Sequence, residues 1–275
     1  MITQLGLAYG PAFLLFFAAV FLTTAQSRTS LAVAVLSISA CFLLILQVGI
    51  PNPARGFLNW IPLLVPLFAA VGFLPRKIWK WASLAACLIV ASIFVSKIVS
   101  VNPRWEPYEP WLNGALLIIL PLLLTWYALT RQHEAGEFPA FPFGLFGFVI
   151  LISLISYIIA GTSKVGIMLG VIGILCAAGF LASILKRKRA DWGPVGFLLM
   201  GTAWMCTVYV HYFTEKLPGF LTAFLLFAPP VVVLARLSDR PLKWKILVPV
   251  LVVILGAAAA GSFLYLDGST DDYGY

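Results

Sequence analysis

Acidic side chains are the scarcest chemistry in this sequence. Ten Asp and Glu are spread over 275 residues, beside 18 Lys and Arg and only two His. Two histidines exclude a multi-histidine metal site. A bis-histidine haem would need both His133 and His211, which the threading below puts on opposite sides. No metal and no cofactor is therefore expected. The four cysteines, Cys41, Cys87, Cys176 and Cys206, all lie inside apolar runs, far from one another and without a C-x-x-C. Each reads as a small hydrophobe rather than part of a disulfide framework. There is no H-E-x-x-H, no G-x-S-x-G and no phosphate-cradling glycine loop. Nor is any polar stretch long enough to fold as a soluble domain. The net charge of +8 therefore does not point to nucleic acid, which would need a basic domain outside a bilayer.

Hydrocarbon is what the sequence has in abundance. It is 62% hydrophobic and 10% charged, with a mean hydropathy of +1.02. Soluble domains carry about 25% charged residues, and no soluble fold has enough polar skin to hide this much apolar surface. The apolar runs are continuous and close to 20 residues, the length that crosses about 30 Å of hydrocarbon as helix. The fold class expected is all-α: a polytopic helical membrane protein of about ten transmembrane helices. The spans are Leu5–Thr24, Leu31–Ile50, Phe57–Leu74, Ile78–Val99, Leu112–Leu129, Phe143–Ala160, Val165–Leu185, Val195–Tyr212, Phe220–Leu237 and Ile246–Leu266. Residues 1–266 make one transmembrane domain and residues 267–275 a short acidic tail. The first run lacks the basic start of a signal peptide and reads as a retained span.

The cations divide unevenly. Thirteen fall in loops that join an odd span to the next even one, and five, including Arg55, Lys97 and Arg104, fall on the other side. The positive-inside rule then places "RKIWKW", "KRKRADW" and "RLSDRPLKWK" in the cytoplasm, with the carboxyl terminus outside, as in a bacterial inner-membrane protein. The third segment is short and carries Pro62 and Pro66. If it is re-entrant there are nine crossings, and only the side of the amino terminus changes. "RTSLAVAVLSISAC" and "GTSKVGIMLGVIGILC" match weakly, as the second and seventh spans of a 5+5 inverted repeat would. Tryptophans and tyrosines at the span ends, Trp60, Trp79, Trp81, Trp105, Trp111, Trp192, Trp244 and Tyr212, read as the aromatic belt of the headgroup region.

Chemistry has few places to sit. A charge at mid-membrane costs roughly 2.5–3.5 kcal/mol on insertion scales and is kept for a purpose; the spans here hold none at that depth. Pro229 and Pro230 fall in the middle of the ninth span, where they should kink or interrupt the helix; the bland reading is a packing kink, the functional one a discontinuous helix lining a cavity. Trp204, Thr207 and His211 share one face of the eighth span, at i, i+3 and i+7. The bland reading of that face is hydrogen bonding between helices; the functional one is a cavity wall. Lys186, Arg187, Lys188 and Arg189 follow the seventh span directly and suit anionic lipid headgroups. On the outer side Arg104, Glu106 and Glu109 come from one loop, and His211 and Glu215 from another. Brought together, they would allow acid–base work on a lipid-linked substrate. The leading expectation is a non-enzymatic carrier or a subunit with protein partners in a membrane complex. The alternative is an enzyme using the outer group.

Overall fold

A computed structural model describes residues 2–23, 27–46, 60–101, 114–135, 144, 146–147, 150, 163–186, 192–214, 219–237 and 242–270. Every regular element among the described residues is helical. In chain order they are α1 (Ile2–Leu22), α2 (Arg28–Leu46), α3 (Trp60–Gly72), α4 (Arg76–Val101), α5 (Leu120–Ala135), α6 (Ser163–Leu185), α7 (Gly193–Tyr209), α8 (Gly219–Leu237) and α9 (Leu242–Thr270). A π-helical segment, Gly114–Ile119, leads into α5, and another, Val210–Thr214, continues α7. The first sits just before Pro121, whose missing N–H cannot close the ordinary α-helical bond. Among the described residues three helical stretches are long and apolar enough to cross a membrane: Arg76–Ile98, Val165–Leu185 and Gly193–Tyr212.

Local chemistry sets several helix starts. Ser27 caps α2, its hydroxyl accepting the Ser30 N–H at 3.0 Å. The Pro75 carbonyl receives the N–H groups of Ile78 and Trp79 and opens α4. Pro194 stands in the first turn of α7, where a missing N–H costs nothing.

Contacts between helix ends sort the bundle into two ends. Lys186, after α6, donates to the Thr23 carbonyl after α1 at 3.1 Å. Arg76 in α4 donates to the His133 and Glu134 carbonyls at the close of α5. A Cβ built on Gly72, the last residue of α3, would lie 2.7 Å from Leu31 of α2 and 3.3 Å from Pro194 of α7. All of these mark one end, here the basic end. Tyr9 of α1 donates to the Ile167 carbonyl of α6 at 3.0 Å, and Lys97 of α4 lies over the Trp60 ring of α3 at 5.8 Å; these mark the far end. The α3 helix has 13 residues, about 20 Å at 1.5 Å per residue, shorter than the three stretches above. Gly144 abuts Phe180, and Gly147 abuts Gly173 and Cys176, so the chain there runs antiparallel to α6, away from the basic end. The rest of the expected sixth span lies outside the described residues. Segments α2 and α6 run in opposite directions, as an inverted repeat requires; neighbours in many bundles do the same.

The α7 helix is the core. Every residue from Gly193 to Val208 is buried, because α2, α3, α5, α6 and α8 pack around it. Phe68 of α3 meets Phe197 edge-on at 4.9 Å. The α4 backbone stands further off and reaches α7 through large rings: Trp79 on Phe197 at 5.8 Å and Phe94 on Trp204 at 5.0 Å. At the rim, α9 packs mainly on α8 and turns Leu247, Val250, Leu251, Ile254 and Leu255 outward. Leu14, Leu15, Leu22, Leu36, Leu88 and Ile89 are exposed likewise. Apolar exposure on this scale is foreign to water-soluble monomers.

The aromatic belt needs correction. Trp81 and Trp244 are 67% and 49% exposed, as belt residues should be, but Trp79 and Trp192 are 1% and 0% exposed. Tyr212 is buried as well. Trp192 fills the space over Gly179 and meets Phe16 at 6.4 Å, locking α1, α6 and the start of α7 together. Trp105 and Trp111 lie outside the described residues.

A Cβ at Gly179 would fall 2.0 Å from the Trp192 ring. Gly179→Ala should therefore destabilise the protein by about 1–3 kcal/mol, read as a lower midpoint of thermal unfolding in lipid nanodiscs. Gly10→Ala, with nothing within 4 Å, should be neutral or stabilising. Equal midpoints for the two variants would contradict this packing.

Candidate functional site

The polar face expected on the eighth span exists in sequence but is neutralised within its own helix. Thr202 donates to the Leu198 carbonyl and Thr207 to the Ala203 carbonyl, both at 2.8 Å. Thr125 and Ser183 likewise bond carbonyls of their own helices, at 2.9 and 2.7 Å. These hydroxyls do not bridge helices, and Thr207 presents no free hydroxyl to a cavity. A Ser or Thr four residues beyond a carbonyl has its acceptor within reach of a staggered rotamer, so the bond forms locally. Trp204 has no such recourse. Its indole Nε1 is buried without a hydrogen-bond partner, against the Phe94 ring. His211 sits in the π-helical segment, half-buried, 4.6 Å from the Tyr212 ring.

The double proline does not interrupt its helix. Pro229 and Pro230 are both inside α8, which continues from Gly219 to Leu237. Both are buried, and the packing of α5, α7 and α9 on α8 supports the helix through them. Pro229 and Pro230 still deprive the Leu225 and Leu226 carbonyls of their usual donors, so the expected break becomes a local loss of two bonds.

Of the four-cation run, Lys186 is already engaged. Its ammonium caps the carboxyl-terminal end of α1 through the Thr23 carbonyl and lies 5.5 Å from the Phe21 ring centre. A cation there also complements the helix dipole. Arg187, Lys188 and Arg189 lie outside the described residues. So do Arg104, Glu106, Glu109 and Glu215, which leaves His211 as the one described member of the outer group.

A polar corner that the sequence did not reveal lies at the basic end, between the first turns of α4 and the last turns of α5. Arg76 binds the His133 and Glu134 carbonyls in the last turn of α5, and Lys80 pairs with Glu134 at 3.1 Å on the surface. Beneath this, Trp126 donates its indole N–H to the Lys80 carbonyl at 3.0 Å and to Ser83 Oγ at 3.1 Å. The Trp79 ring lies tilted against buried His133, with ring centres 4.9 Å apart. Trp79 Nε1 and Thr130 Oγ1 are buried without a hydrogen bond, and so are Nε2 and Oε1 of Gln132, which helical phase turns to another face of α5. Each such group costs about 1–3 kcal/mol when left unmet. The one available signal was spacing. Arg76, Trp79 and Ser83 recur on one face of α4, and Trp126, Thr130 and His133 on one face of α5. Proximity to a basic loop hid it, since Trp79 and His133 look there like ordinary boundary residues. Among the described residues no group of three or more His, Cys, Asp or Glu is placed to hold a metal.

Because the Thr207 hydroxyl serves only its own helix, Thr207→Val should change stability by less than about 1 kcal/mol and leave the fold intact. Thermal unfolding in nanodiscs measures it; a loss of several kcal/mol would mean that the hydroxyl holds another helix. Comparison of this chain with family models, with curated proteins and with solved structures returned no match, so its function is argued from its own geometry.

Proposed function

We propose that this chain is an integral membrane carrier for a small solute, threaded about ten times through a bacterial inner membrane. In this reading the basic end faces the cytoplasm and the carboxyl terminus lies outside. The grouping of the ends of α1 to α7 supports that threading, since the same ends collect the cations Arg76, Lys80 and Lys186.

The observation that carries the carrier reading is the set of buried polar atoms left without partners. In hydrocarbon a chain is under strong pressure to satisfy every polar group internally, and here the buried hydroxyls of α6 and α7 do so. Trp79, Thr130, Gln132 and Trp204 depart from that rule inside the bundle. A polar solute passing through needs groups of this kind, unpaired between visits. A subunit serving only to pack against partners in a membrane complex gains nothing from them. The enzymatic alternative at the outer face rests on His211 meeting Arg104, Glu106, Glu109 and Glu215, and has no comparable support.

Osmotic response of proteoliposomes tests the proposal across solute classes, whichever of them is the substrate. Vesicles are shrunk by external polyol, amide, amino acid or organic acid, and light scattering follows their reswelling as the solute enters. At least one solute class should enter several-fold faster than in protein-free vesicles. Rates indistinguishable from protein-free vesicles across the panel would defeat the proposal.

A further inference from the structure

The α5 helix carries an outward stripe that changes character along its length. Leu120, Leu124, Tyr127 and Arg131 recur at i, i+4, i+7 and i+11, which is one helical face. Leu120 and Tyr127 are 43% and 44% exposed, Arg131 is exposed and Leu124 is half-buried. One turn earlier, Leu116 of the π-helical segment is exposed too. Leu122, Ala128, Leu129, Gln132 and His133, on the other faces, are buried. The stripe is therefore the side of α5 that the bundle leaves uncovered. Leu120 and Arg131 stand eleven residues apart, about 17 Å at 1.5 Å per residue. Half of a bilayer's hydrocarbon core is close to that, at roughly 15 Å. The stripe is apolar over this depth and turns polar only at the basic end.

The polar top of the stripe is arranged in advance. The Arg131 Nε–H donates to Tyr127 Oη at 3.3 Å, and the guanidinium lies 5.7 Å from the Tyr127 ring centre. One edge of the guanidinium is thereby held, and its Nη groups have no bond to another described residue. Tyr127 accepts in that pair and keeps its own O–H to donate. Glu134, three residues further on, is already paired with Lys80 at 3.1 Å. With Arg76 on the α5 carbonyls, three cations stand against one carboxylate at this edge. The forked Nη groups suit an oxyanion with two oxygens to offer. That anion must lie at headgroup level, above a column of leucine. An anionic phospholipid meets both conditions. We propose that this stripe is a binding site for one anionic phospholipid in the leaflet at the basic end. Arg131 takes the phosphodiester, the Tyr127 O–H serves the ester region one turn deeper, and Leu124, Leu120 and Leu116 take an acyl chain. A zwitterionic lipid brings a cation of its own to an edge already rich in them, and binds less well. The site requires the bilayer but not the carrier reading; only the assignment of its leaflet to the cytoplasmic side rests on the threading above.

The test is photo-crosslinking of the full chain in phosphatidylcholine nanodiscs. The probe is phosphatidylglycerol with a diazirine in its acyl chain, at trace level; phosphatidylcholine with the same group is the comparison. Mass spectrometry of peptides locates the label. The phosphatidylglycerol probe should label α5 between Leu116 and Tyr127 at least about fivefold more than the phosphatidylcholine probe, and unlabelled phosphatidylglycerol should compete it away. Arg131→Gln should bring the two probes to within about twofold at α5, with labelling of other peptides unchanged. Tyr127→Phe should lower the preference by less. Both side chains are exposed, so the unfolding midpoints should hardly move, and comparing the two probes on the unaltered chain needs no variant. Equal labelling by both probes would reduce the stripe to ordinary boundary lipid and overturn the proposal. So would a preference that survives Arg131→Gln, or displacement of the probe by glycerol phosphate, which would assign Arg131 to a soluble anion. Preferential labelling without vesicle reswelling would retain this site and refute the carrier; reswelling with equal labelling would do the reverse.

Discussion

The constraint on which this structure depends is the lack of any outside hydrogen-bond partner within hydrocarbon. A helix meets that constraint along its length by bonding itself. The difficulty moves to side-chain hydroxyls and to helix ends, and the chain handles both locally. Thr125, Ser183, Thr202 and Thr207 turn back onto carbonyls of their own helices. The Thr23 carbonyl just after α1 and the His133 and Glu134 carbonyls in the last turn of α5 accept from Lys186 and Arg76. The cations gathered at this end therefore finish helices, by binding carbonyls that have no N–H left to accept. With these hydroxyls met inside their own helices, association around α7 is left to shape, and Phe68, Trp79 and Phe94 touch it from α3 and α4.

Departures from a constraint so widely obeyed carry information. Trp204 beside Phe94 is one; Trp79, Thr130 and Gln132 are others. Trp204 and Trp79 lie where α4 meets its neighbours, and α4 reaches α7 through rings rather than close backbone contact. An interface made of large flat side chains has fewer nearby acceptors to offer, because the backbones that would supply them stand further apart.

Much of the architecture was legible in the sequence because it follows from composition and count. Run length gave the helices, and the cation count sorted the ends of α1 to α7 as the contacts sort them. Side-chain direction was not legible. Trp79 and Trp81 are two residues apart in "RKIWKW", yet one is buried against His133 and the other faces outward. Position near a basic loop could not separate them; helical phase against α5 does. Pro229 and Pro230 mark lost backbone donors, but whether the helix survives depends on packing by α5, α7 and α9, which sequence does not state. Thr207 shows the converse: its helical face was readable, whereas the choice of its own carbonyl over a neighbour's is a rotamer. The polar corner needed two segments some 50 residues apart to meet.

The central claim is a lipid-embedded bundle in which α7 is shielded from the bilayer by the helices around it. Quenching of tryptophan fluorescence by brominated phospholipids tests this directly, in variants that each retain a single tryptophan. Trp81 and Trp244 should be strongly quenched and Trp204 scarcely at all. Quenching of Trp204 as strong as that of Trp81 would contradict the account.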